Sequence, residues 1–169
     1  MIFMSQSGLT NGTRQADWDR WYIDHLVIMS GVPGISSAQR FKTSTPGHPP
    51  SLAMYSVASA AVFKDPYYLR VRGMGEWLTL IDKQYYRRNL FDGAQYAPEL
   101  ADTERLIVAD RSASAPGLAG FDWTWLQCVG IDHSTAYRGI AVVSVEMADQ
   151  VGAASLAVYR PVTRYYKPQ

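Results

Sequence analysis

The chain has 169 residues, 47% hydrophobic and 18% charged, with a formal net charge of +1. That composition supports a packed core, excludes wholesale disorder and offers no basic stripe for nucleic acid. The single cysteine, Cys128, forms no intrachain disulfide, which sets aside disulfide-stapled secreted scaffolds and favours a reducing, cytoplasmic setting.

The opening MIFMSQSGLT lacks a charged region and a long apolar run, so no signal peptide is expected. Nor does any run approach the ~20 apolar residues of a spanning helix, and no membrane partner is expected. Residues 2–7 predict a first strand. Thr13 is the expected cap of a helix over 14–30. There Trp18, Trp21, Tyr22, His25 and Met29 recur at helical spacing on one face, opposite Arg14, Asp17, Arg20 and Asp24. Gly31 is expected to take the left-handed position after the helix, and Pro33 forbids its continuation.

Residues 35–43 and 51–59 predict two strands around the Pro- and Gly-rich loop TPGHPP (45–50). A second, shorter helix over 60–72, interrupted by Pro66, precedes a break at Gly73 and Gly75. A helical turn or two over 76–83 and a closing strand over 84–91 complete a βαββαβ order of the ferredoxin-like kind.

The second half echoes the first. Ser51-Leu-Ala-Met-Tyr55 returns as Ser155-Leu-Ala-Val-Tyr159, and Trp125 stands opposite Trp21 at the same offset. The echo predicts a strand over 105–110, a helix over 118–130 and strands over 139–147 and 154–164. The expected architecture is α+β. A ferredoxin-like half (1–100) and a degenerate, truncated second copy (101–169) pack their antiparallel sheets as an α/β barrel. Because the second copy lacks elements, exposed sheet faces favour a homodimer.

Asp19-Arg-Trp21-Tyr22-Ile-Asp24-His25, then Val32-Pro33-Gly34-Ile35 and Ala38-Gln-Arg40-Phe41, resembles the signature of EthD-like proteins of the dimeric α/β-barrel superfamily. The likeness covers residues 1–92, with Asp24 where glutamate is usual. It implies the same ferredoxin-like barrel. It also implies one of several chemistries: cofactor-free isomerases, cyclases, dehydratases and decarboxylases, cofactor-free monooxygenases, or haem enzymes.

His25 is the leading catalytic candidate, because imidazole exchanges a proton near neutral pH and aromatic walls keep it neutral. A purely structural histidine would instead be hydrogen-bonded to a backbone carbonyl. Tyr22 shares that helical face and can donate to a developing enolate oxygen. Trp18, Trp21, Arg40, Tyr55, Trp77 and Tyr85 are the candidate substrate-binding residues, Arg40 as a carboxylate clamp. Asp24 is expected to face solvent or to pair with Arg40. Asp132 and His133 form a possible second site.

No phosphate loop, nucleophile elbow or dinucleotide fingerprint appears, and three scattered histidines give no metal spacing. The expectation is a lyase or isomerase without cofactor. It would act by acid–base chemistry on a small hydrophobic or aromatic carbonyl compound. The alternatives are a non-catalytic small-molecule-binding protein and a haem-binding monooxygenase or peroxidase-like enzyme.

Overall fold

The computed structural model describes residues 1–113, 120–152 and 156–168. Its strands are β1 (Ile2–Ser7), β2 (Ile35–Lys42), β3 (Ser51–Val57), β4 (Arg87–Asp92), β5 (Glu104–Arg111), β6 (Thr124–Ile131), β7 (Tyr137–Ser144) and β8 (Ala157–Pro161). They join in the order β1-β3-β2-β8-β5-β7-β6-β4, and β4 pairs back onto β1. Every pairing is antiparallel, so the sheet closes on itself. The helices are few: α1 (Gln15–Ser30), α2 (Pro66–Val71) and α3 (Val145–Ala148).

This architecture corrects the ferredoxin-like α+β expectation. The protein is a closed eight-stranded antiparallel β-barrel with few helices, not two sheets packed face to face. The reason lies in the strand edges. β2 and β4 would each present a row of unpaired backbone groups, and β8 and β6 satisfy them. The two halves place their strands in the same relative order, β4-β1-β3-β2 and β8-β5-β7-β6.

A second correction concerns residues 118–130. Residues 118 and 119 lie outside the described set, as do Ser155 of the echoed motif and the first residues of the 154–164 strand. From Thr124 onward the segment is strand, not helix. Leu126 and Cys128 enter the barrel core while Trp125 packs on its outer face, a period of two.

Alternation fixes what each strand offers. On β1, Ile2 and Met4 join the barrel interior and Phe3 lies on the outer face beneath α1. An eight-stranded barrel is just wide enough for side chains to fill. Phe41, Leu52, Met54, Phe91, Leu106, Leu126 and Tyr159 fill this one. One end is plugged: the Gln39 amide exchanges hydrogen bonds with the backbone of Leu100 (2.8 and 3.0 Å).

α1 lies on the outer face, burying Trp18, Tyr22, His25, Leu26 and Met29 and exposing Arg20 and Asp24. Thr13 does not cap it: Arg14 stands at the N-cap without a side-chain bond, and Asn11 caps the 3-10 turn Gly12–Arg14 just before, accepting from the Thr13 N–H. The left-handed residue after the helix is Gly34 (φ 86°) rather than Gly31 (φ −82°). Among the described residues no helix is long and apolar enough to cross a membrane.

Candidate functional site

Between α1 and the outer face of β1, β3 and β4 lies a cavity of about 30 Å³. Tyr22, His25 and Met29 of α1 line it with Phe3 and Ser5 of β1 and Tyr55 of β3. Tyr68 of α2, Arg72 to Met74, Tyr86 and Arg88 complete the wall. That volume holds about one water molecule. His25 and Tyr22 of α1 and Tyr55 of β3 therefore meet at one place.

His25 is 9% exposed, and its ring stacks on Trp21 at 4.7 Å between centroids, nearly parallel (11°). Tyr22 meets the same ring edge-on at 5.9 Å. Among the described residues the imidazole makes no hydrogen bond and no ion pair. Burial, the only cause acting on it, lowers its pKa to about 4. The ring is neutral at physiological pH, and among the described residues no backbone carbonyl holds it as one would hold a structural histidine.

The phenols are driven the other way. Burial raises Tyr22, against the pull of Arg40 and the Ser5 and Ser7 hydroxyls. Burial pushes Tyr55 well above 10, with Tyr22 adding to the effect. Tyr68 is raised by burial although Arg88 and Arg72 oppose it. The cavity thus holds a neutral imidazole among three phenol hydroxyls that keep their protons and can donate them in hydrogen bonds.

Arg40 departs most from its expected role. Its side chain is 1% exposed, so it clamps no ligand. Nη1 donates to Asp19 (2.8 Å) and Nε to Ser51 (2.9 Å). The guanidinium carbon lies 4.7 Å from the Trp18 ring centre and 4.1 Å from that of Tyr22. Lys42 also bonds Asp19; burial would raise that carboxyl, but the two cations outweigh it and hold it below the usual range. Asp24 takes no part and faces solvent.

Trp18 is core, edge-on to Tyr22. Trp77 packs 6.3 Å from Trp21 under the Arg14 guanidinium and does not line the cavity. Tyr85 lies elsewhere, at the open mouth of the barrel. Asp132 reaches the first site indirectly: its carboxylate accepts the Arg88 backbone N–H (2.8 Å) and pairs with the Arg88 guanidinium (3.5 Å). His133 is exposed in the β6–β7 loop with φ 47°.

Tyr68, Tyr86, Arg72 and Arg88 are lining residues that the sequence reading did not select. Parity along Tyr85-Tyr86-Arg87-Arg88 was the available signal. Tyr86 and Arg88 line the outer cavity, and Tyr85 and Arg87 line the barrel mouth. Among the described residues no cluster of three His, Cys, Asp or Glu side chains can hold a metal ion. Comparison with protein-family models, curated proteins and solved structures finds no match to this chain.

Proposed function

We propose that the protein is a cofactor-free acid–base enzyme acting on a small hydrophobic or aromatic carbonyl compound at the His25 cavity. The observation that carries this reading is a buried, neutral imidazole without a hydrogen-bond partner among the described residues, facing phenols that keep their protons. In the reaction, a His25 ring nitrogen takes a proton from the carbon next to the substrate carbonyl. Tyr22 donates a hydrogen bond to the enolate oxygen, and the Arg88 charge stabilises it. Return of the proton to another atom gives isomerisation; loss of a leaving group gives elimination.

Two features shape the chemistry. An imidazole at about 4 is a weak base, so the donors around the developing oxyanion must make the substrate more acidic. The cavity also admits no substrate as it stands. Entry displaces the Arg72–Met74 segment, where Gly73 (φ 95°) precedes Gly75 (φ 51°) and neither has a neighbour within 4 Å of an added Cβ. The lone free cysteine fits a cytoplasmic setting.

The low basicity of His25 also favours a second reading, in which it only accepts a hydrogen bond from a ligand and the protein binds without turnover. A haem at His25 would demand a far wider opening of the 30 Å³ cavity than a small carbonyl compound does.

The test is turnover by mass spectrometry on phenolic, lactone and polyketide-like carbonyl compounds without added cofactor. His25→Gln is expected to lower turnover about 10²–10⁴-fold with the fold intact by circular dichroism. Turnover unchanged in the variant contradicts the assignment. Saturable quenching of Trp21 fluorescence without turnover selects the binding reading.

A further inference from the structure

A further cavity, of about 320 Å³, lies at the unplugged end of the barrel, across the β1–β4 wall from His25. We infer that this mouth is a second, independent binding site, built for a small organic carboxylate with a flat apolar body.

The charge around it argues for an anion. Arg87 and Arg111 both line the cavity, both are half-buried, and among the described residues neither has an acidic partner. Each is held by backbone carbonyls through one nitrogen. Arg87 Nη1 donates to the carbonyls of Lys83 (3.1 Å) and Tyr86 (2.8 Å), and Arg111 Nη1 to that of Asp110 (2.8 Å). The remaining guanidinium donors make no hydrogen bond among the described residues. A partly desolvated guanidinium in this state is a preformed seat for a carboxylate.

The one acidic group in the wall does not oppose this. Asp110 is bonded twice by the buried Arg138, through Nε (2.7 Å) and Nη2 (2.8 Å), and Arg138 Nη2 also donates to Gln6 (2.9 Å). That pair cancels in place, leaving the two lining arginines as the net charge.

The rim is also rigid. At the end of β6, Ile131 (φ 70°), and in the loop after it, His133 (φ 47°), hold left-handed backbone, a costly conformation above all for a β-branched residue. The side chain of Asn89, fully buried inside the barrel, pins that loop. Its Oδ1 accepts the Ser134 N–H (2.9 Å) and its Nδ2 donates to Ser134 Oγ (2.7 Å). Ser134 thereby stands at the cavity wall. Opposite it, Tyr159 donates to the carbonyl of Pro49 (2.7 Å) and ties the proline-rich loop over the mouth. Tyr85 and Val108 supply the apolar surface for a ring. Barrel mouths are a common place for ligand sites, and the volume suits a compact aromatic acid.

The test is nuclear magnetic resonance titration of the full chain with benzoate, benzamide and inorganic phosphate as probes. Benzoate is expected to shift the Ser134 and Tyr85 amides saturably, with benzamide about tenfold weaker because it lacks the charge. Arg87→Gln and Arg111→Gln are each expected to weaken benzoate about tenfold, and His25→Gln to leave it unchanged. If either arginine variant unfolds, Ser134→Ala serves in its place, with a smaller weakening expected. Benzamide binding as tightly as benzoate, phosphate binding as tightly as benzoate, or shifts confined to residues around His25 each overturn the proposal.

Discussion

Two walls of the same barrel are finished in different ways. On the β1–β3–β4 side, α1 covers the sheet and brings Tyr22 and His25 down onto Phe3, Ser5 and Tyr55, leaving a small polar cavity. On the β5–β7 side, aromatic side chains do the covering. Trp123 stacks on Trp125 at 5.6 Å, and both sit over Gly139 and near Ile107 and Ala141. A helix laid on a sheet leaves a gap that polar side chains can share. An aromatic pad seated on a glycine fills its gap. Titratable chemistry therefore collects on the helical wall, and the aromatic wall contributes stability.

Acid unfolding separates the walls most widely. His25 has a folded pKa of about 4 against 6.5 unfolded, so between those values the unfolded chain binds more protons. The stability is whole above pH 6.5 and is lost as pH falls through about 4. The shift corresponds to roughly 3 kcal/mol. Urea titrations are expected to show that His25→Gln removes this part of the acid loss, whereas substitutions on the aromatic wall leave it in place. An unchanged acid profile in His25→Gln would break the comparison.

Gly139→Ala probes the other wall. Its Cβ would lie 2.8 Å from Trp123 and 2.9 Å from Trp125, so the stacked pair must move. A loss of about 1–3 kcal/mol is expected by urea unfolding, with chemistry at His25 unaltered. A neutral substitution would mean that the tryptophan pad is loose.

Smallest is Tyr22→Phe, which deletes one donor and keeps the ring against Arg40 and Trp18. About tenfold slower turnover is expected, with little change in stability. A change in melting temperature without one in turnover would make Tyr22 purely structural.

The helical wall was legible because α1 carries its own signal: Trp18, Tyr22, His25 and Met29 lie on one face at helical spacing and are all buried. Barrel closure was not. It depends on β4 meeting β6 and on β2 meeting β8 through only Phe41–Pro161 and Lys42–Arg160, pairings with no local trace. The fold implied by the EthD-like resemblance fails at the same point, since the matching residues lie almost wholly before the strands that close the ring. Thr124–Ile131 misled because alignment of Trp125 with Trp21 outweighed the period of two that Leu126 and Cys128 show. Tyr85 was placed with His25 for a similar reason: one step along a strand moves a side chain to the other face, and Tyr86 is the residue that lines the His25 cavity.

His25 is a neutral imidazole inside the helical wall, without a hydrogen-bond partner among the described residues. A nitrogen-15 titration of its imidazole by nuclear magnetic resonance, from pH 8 to pH 3, tests that directly. The ring is expected to stay neutral down to pH 5 and to titrate with a midpoint near 4. A midpoint at or above 6.5 would mean a solvated or carboxylate-paired ring and would contradict this expectation.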